Sequence, residues 1–453
     1  MSTSTPITFA TDDFLNRKPF CEKLERFLLV ENDFVKGSLV LALNGGFGSG
    51  KTTFLQMWKT DLEERRTQNK ILPMPVLLNA WENDFCGDPL LSMLTSLIET
   101  MDSLGGADES NNAEKLKEAA KDIGWFTMGL LNGVTSKIGL DAMRAGEITT
   151  KKKNERSETT PDFIEAYQQR TKAFQNLKTA LKQVFSGPEP KAIIFIDELD
   201  RCRPDFAVDY LETIKHVFDI EGLVFILAVD EKHLENSAKS LFGQDLKFPE
   251  YFRKFSHRSI KLPEPDDNSW NLLTSKYMEK YLEVAGKRTS ALSQDRHRKE
   301  QVTELLQALN MKQRDIQESF RIMGHAFACN EENKGRIKWC IGVGTVFLSA
   351  LKVTNPDLYH RIGTGNVEGK ELGEFLISKL GRENASWWFD ICITGLTPSP
   401  SSSQITTLLR ELKFIGPDDA PQNNIGEFAS GWSRRNLTYV YKTIEEVELF
   451  SNN

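Results

Sequence analysis

The stretch Gly45-Gly-Phe-Gly-Ser-Gly-Lys51-Thr52 constrains this chain more than any other. It directly follows an apolar run, Ser38 to Asn44, and precedes a segment whose apolar residues Phe54, Leu55, Trp58 and Leu62 recur at helical spacing. A short run with almost no polar residue is expected of a strand buried on both faces. Glycines between such a strand and a helix let successive backbone N–H groups turn inward around phosphate, where the helix dipole adds its own attraction. The pattern GxxxxGK[ST] in this context predicts a phosphate-binding loop built from Gly45, Gly46, Phe47, Gly48, Ser49, Gly50, Lys51, Thr52 and Thr53. Lys51 would neutralise the β and γ phosphates of ATP, and Thr52 would offer its hydroxyl to Mg²⁺.

A loop of this kind needs an acidic residue on a neighbouring strand to hold the metal through water. Ile193-Ile-Phe-Ile-Asp197-Glu198 supplies one, with Asp197 at the expected strand end and Glu198 placed to polarise an attacking water. Two more runs, Pro75 to Trp81 and Leu223 to Val229, also read as strands. Helical patterns separate them: Phe163, Tyr167, Phe174, Leu177, Leu181 and Val184 before the third strand, and Val208, Leu211, Ile214 and Phe218 before the fourth. Strands alternating with helices predict an α/β fold, a parallel sheet flanked by helices with right-handed crossovers.

Composition narrows the class. A chain of 453 residues has room for two or three domains, and 40% hydrophobic with 27% charged residues excludes disordered and collagen-like classes. The net charge of −7 and the absence of interleaved basic and aromatic stretches leave nucleic-acid binding unsupported. Six scattered cysteines form no CxxC pair, and the histidines show no HxxxH or HExxH spacing, so neither a zinc nor a redox site is expected. The opening MSTSTPITFATDDF carries no export signal, and the longest uncharged runs, Ile123 to Ser136 and Trp339 to Leu351, fall short of the roughly 20 residues a bilayer span needs. The expected location is therefore the cytoplasm, with no membrane span.

Asp197-Glu-Leu-Asp-Arg-Cys202 with Pro204 resembles the DDLDRC-x-P signature of the KAP family of P-loop NTPases, a branch of the STAND signalling ATPases. Asn79-Ala-Trp81 resembles the FNAW element of that family, and Ala228-Val-Asp230 its AVD strand end. Pro249 to Lys254 with Ile260 to Pro263, and then Gln313-Arg314-Asp315-Ile316, resemble its later segments, the last of them the PRDIKR helix. Here Glu198 stands where the signature has a second Asp, Gln313 where it has Pro, and no transmembrane pair separates the two acidic and glycine-rich elements. The resemblance implies Mg²⁺-dependent hydrolysis of ATP that drives a conformational or assembly switch. It also implies partners encoded in the same operon, self-association, and a role in bacterial defence against phage. Arg314 would sense the γ-phosphate, because a guanidinium fork pairs bidentately with phosphate oxygens. Ion pairing with Asp315 or Glu318 is the plainer alternative for that residue.

The expected layout is an ATPase core over 1–265 with an insertion at about 105–160, a helical lid over 266–330, and a helical C-terminal module over 331–453. Inside the insertion, the lysines at 151–153 read as a solvated loop more readily than as a phosphate contact. Asp230 reads as a γ-phosphate sensor or a helix cap, Trp81 as a buttress of the site or a buried aromatic. Arg201, Arg203, Arg253 and Arg258 read as phosphate contacts or, more commonly for any one, ion-pair partners. Two further readings remain open: an ATP-gated scaffold with little turnover, and a nucleic-acid-stimulated motor.

Overall fold

The computed structural model describes residues 6–133, 163–187, 189–284, 296–329, 339–396, 402–418, 424–432 and 435–449. The lysines at 151–153, residues 134–160 of the expected insertion and the end of the Ile123 to Ser136 run lie outside them. The chain divides into two units: Met1–Asp13 with Arg17–Pro263, and Phe14–Asn16 with Glu264–Asn453.

The first unit carries five parallel strands in the order β2-β3-β4-β1-β5: β1 Leu39–Asn44, β2 Met74–Asn79, β3 Ala192–Asp197, β4 Leu223–Val229 and β5 Arg258–Lys261. The period of two sends alternate side chains to opposite faces. Leu39, Leu41, Leu43, Ile193, Phe195, Val224 and Ile226 pack with Phe54, Leu55 and Trp58 of the Lys51–Gln68 helix. Val40, Ala42, Ile194, Ile196, Phe225 and Leu227 pack on the other face with Leu94, Leu177, Leu181, Leu211 and Ile214. Both faces are covered, so β1, β3 and β4 read as near-continuous apolar runs, and each fully buried aliphatic side chain contributes about 1.5–3 kcal/mol.

One strand reading is corrected and one strand is added. β2 ends at Asn79, whose side chain accepts from the N–H groups of Trp81 and Glu82 and so starts the short Ala80–Asn83 helix. Trp81 is accordingly exposed, neither a core aromatic nor a strand residue. β5 is mostly exposed and carries no apolar periodicity of its own; pairing of Leu41 to Asn44 with Arg258 to Lys261 makes it a strand.

The helix after β1 lies on one face of the sheet, and the Glu231–Phe242 helix after β4, through Leu234 and Ala238, lies on the other. Neighbouring strands whose connections leave to opposite faces open a crevice at their carboxyl ends, the usual ligand position in such sheets. Asn44, Asp197 and Asn79 all sit at that edge, because register pairs Asn44 with Val229, Asp197 with Ala228, and Asn79 with Asp197.

The second unit is helical. Its Trp339–Thr354 helix is buried from Cys340 through Leu351, so this apolar run forms the middle of a helical core. The Trp432 indole fits against two glycines, since a Cβ on Gly344 or Gly395 would come within 2.5 or 2.6 Å of it. Its Nε1 donates to the Ile391 carbonyl and the Thr394 hydroxyl, both at 3.2 Å. Among the described residues, no helix is long and apolar enough to cross a membrane.

Asp390 is buried in this core, and burial alone pushes its carboxyl up to about 7. The folded chain therefore holds a proton that the unfolded chain, near 3.9, has released, and stability falls as pH rises from about 4 to about 7. Asp390→Asn is expected to stabilise the protein by on the order of 2–4 kcal/mol more at pH 8 than at pH 4. Thermal unfolding of both proteins at the two pH values checks this; an equal Tm shift at both would contradict it.

Candidate nucleotide site

The loop after β1 begins with the Gly45 N–H donating to the Val229 carbonyl at 3.1 Å, which anchors it to β4. Gly48 and Gly50 adopt φ values of 73° and 83°, the left-handed region that lets the backbone curl before the helix starts at Lys51. A Cβ at Gly45 would lie 2.8 Å from the Ser49 hydroxyl and 3.4 Å from Lys51 Cγ, so this turn tolerates no side chain without movement.

Lys51 is only 9% exposed. Its ammonium donates to the Gly45 carbonyl, and to that of Gly46 at 3.4 Å. Burial holds its pKa below the ordinary lysine range, opposed by the charges of Asp200, Asp230 and Asp197. Phe47 is central to the loop: the Lys51 ammonium lies 5.7 Å and the Arg201 guanidinium 5.4 Å from its ring, and His233 packs edge-on at 4.5 Å.

Thr52 lies close enough to Asp197 for its hydroxyl to favour the ionised carboxylate, so the two residues expected to share the metal are brought together. Burial raises the Asp197 pKa, with the nearby Thr52 hydroxyl, the Glu198 N–H at 3.0 Å and the Lys51 charge acting in the opposite direction. Glu198 itself takes φ 59°, ψ 24°, a left-handed conformation that costs a residue with a Cβ about 1–2 kcal/mol. That turn leaves its carboxylate between two donors, Arg201 at 3.1 Å and the Asn79 amide at 3.3 Å.

Neighbouring residues hold this edge in shape. Asp200, buried, accepts from the Asp230 N–H at 3.0 Å. The Asp230 carboxylate accepts from the Lys232 N–H, so it caps the following helix. Arg203 grips Asp84 through its side chain at 2.8 Å and its backbone N–H at 2.9 Å, joining the turns that follow β2 and β3. Arg258 pairs with Glu31, and Arg253 is exposed. Of the four candidate arginines, Arg201 alone makes a described contact with Glu198 or the loop.

Arg314 belongs to the second unit, at the first turn of the Gln313–Cys329 helix. Asp315 reaches back to the Lys312 N–H at 2.9 Å and closes the helix start, while Glu318 pairs with Arg321. Ile316, Phe320 and Met323 face the core of that unit and Arg314 is exposed. Two residues were missed as site components. Asn79 is visible in sequence only as part of a family motif, and Arg17, which donates to the Ser49 and Gly50 carbonyls, has no sequence signal at all.

A parallel sheet in this order, with a GxxxxGK[ST] loop at the end of β1 and an acidic pair at the end of β3, defines a P-loop nucleotide-binding protein. The sequence matches the KAP family P-loop domain over residues 17–326, and the chain belongs to that family. No curated protein matches the sequence. Two structures of the Aeropyrum pernix ORC2 protein are similar at 12% identity. The one described with ADPNP and ADP covers 96% of this chain and 95% of its own, with a TM-score of 0.38. The ADP form covers 96% and 94%, with a TM-score of 0.35. These likenesses are too distant to say anything of this chain's chemistry.

Proposed function

We propose that this protein is a Mg²⁺-dependent ATPase whose turnover drives a conformational or assembly switch. One observation carries the reading: beside Asp197, at the strand end, stands a glutamate whose two carboxylate oxygens are positioned by Asn79 at 3.3 Å and Arg201 at 3.1 Å, with Thr52 nearby. The residues fit the ligand. The Ser49 hydroxyl is buried with no protein partner, beside Lys51 and the backbone N–H groups of the loop. Thr52 and Asp197 would hold the metal, Asp197 through water, and the metal would neutralise charge on the β and γ phosphates. Among the described residues no group of three or more His, Cys, Asp or Glu could hold a metal alone, so the triphosphate would complete the coordination. Glu198 would orient and deprotonate water for in-line attack on the γ-phosphorus, with Lys51 balancing charge on the leaving diphosphate. Phosphate release from ATP by the purified chain, with Mg²⁺ and with EDTA, tests this; equal release in both would overturn the metal dependence.

Arg314 would report the γ-phosphate. Arg314→Ala is expected to bind ADP within about twofold of wild type and to lose about tenfold in its preference for ATP, the worth of one charge-assisted hydrogen bond. Small-angle scattering with either nucleotide checks the accompanying loss of the ATP-dependent shape change; equal shifts in variant and wild type would remove Arg314 from the switch. The family resemblance further supports a role in phage defence with proteins of the same operon. Phage plating on cells carrying the operon with wild-type or Lys51→Ala protein tests that role.

A further inference from the structure

Arg17 is 3% exposed, yet its guanidinium makes no described salt bridge. It spends its donors on backbone: Nη2 donates to the Ser49 carbonyl at 2.7 Å and to Pro263 at 3.4 Å, and Nη1 to Gly50 at 3.2 Å. Its Nε is buried with no partner. Burial lowers its pKa to about 10, against the pull of Asp13, so this is a buried and only partly compensated cation set against the carbonyls of the loop. Bonds to charged donors are among the stronger ones, and here all three acceptors are carbonyls, so they register the path of the backbone and not the identity of a side chain.

The acceptors have a particular distribution. Ser49 and Gly50 are the residues through which the phosphate loop becomes a helix. Pro263 is the last residue of the α/β unit, and Arg17 resumes that unit directly after Phe14–Asn16, which groups with the helical unit. One side chain therefore ties the loop to the residues at both places where the chain leaves the α/β unit. The backbone N–H of Arg17 and that of Lys18 are in turn fixed by the Asp13 carboxylate, at 2.7 and 2.8 Å. Asp13 is the unit's last residue before the first exit.

We infer that Arg17 is a positioning residue that transmits the state of the phosphate loop to these exit points, an inference that rests on the nucleotide switch proposed above. When phosphate draws the loop N–H groups inward, the Ser49 and Gly50 carbonyls on the reverse side move with them, and the guanidinium carries that movement to Pro263 and to its own backbone. The negative charge of the triphosphate also offsets the buried cation, so loop and fastening are favoured together.

Hydrogen–deuterium exchange on the full chain, with and without a non-hydrolysable ATP analogue at saturation, tests this. In wild type, peptides covering 45–53, 10–18 and 258–266 should all gain protection. Arg17→Met should bind the analogue about tenfold more weakly. At saturation it should protect 45–53 normally while 258–266 loses most of its response. Arg17→Lys, which keeps the charge but not the fork, should restore part of that response, and it carries the comparison if the methionine variant does not fold. A folded variant whose 258–266 response equals wild type overturns the role of Arg17, as does a wild type whose loop responds while 258–266 does not. A wild type in which 45–53 itself ignores the analogue overturns the nucleotide switch, and this inference with it.

Discussion

Glu198→Gln is expected to bind ATP with near wild-type affinity and to hydrolyse it about 10²–10⁴-fold more slowly, the usual contribution of a positioned general base. The amide is isosteric and its carbonyl can still accept from Asn79, as Oε2 does at 3.3 Å. The two things lost are proton affinity and the ionic attraction to Arg201, which lies 3.1 Å from Oε1. Neither is a contact of Lys51 or of the loop backbone, and Arg201 keeps its place over the Phe47 ring, so binding survives while turnover stalls. The left-handed backbone at this position is kept, since Gln and Glu meet the same steric limits there. Single-turnover hydrolysis beside a binding titration separates the outcomes. Wild-type turnover would show that Glu198 is not the base, and loss of binding would show that its carboxylate holds the fold of the site.

Lys51→Ala is expected to weaken triphosphate binding about 10- to 100-fold, the range for losing one charge-assisted hydrogen bond. The lysine is held by the carbonyls of Gly45 and Gly46 within hydrogen-bond reach, close to the loop's own N–H groups, so its charge is already where the phosphates would arrive. Removing it relieves a buried ammonium and should leave the ligand-free Tm unchanged or slightly higher. The clearest reading is ligand-induced stabilisation. At a concentration 100 times the wild-type Kd, nucleotide stabilises by about 2.7 kcal/mol; a variant 100-fold weaker gains only about 0.4. Equal nucleotide-induced Tm shifts in the two proteins would remove Lys51 from the site.

What is legible in the sequence is what neighbouring residues settle among themselves. The glycines of the loop, the lysine and threonine after them, and the acidic pair closing an apolar run are local patterns. Each is imposed by steric freedom, by backbone hydrogen bonding or by burial of a strand on both faces. Sheet order, register and long-range pairing are of another kind. β5 has a mostly exposed, polar sequence and exists because β1 offers it a free edge. Asn79 meets Glu198 across 119 positions because β2 and β3 pair in register, and nothing near either residue announces the other. Trp81 reads as a core aromatic by composition, but the cap at Asn79 ends the strand and turns it outward. Arg17 shows the limit most clearly. By sequence it is one arginine among many, and its acceptors are the backbone carbonyls of Ser49, Gly50 and Pro263, groups that every residue possesses. A side chain that binds backbone leaves no complementary residue to find, so only the path of the folded chain decides what it holds.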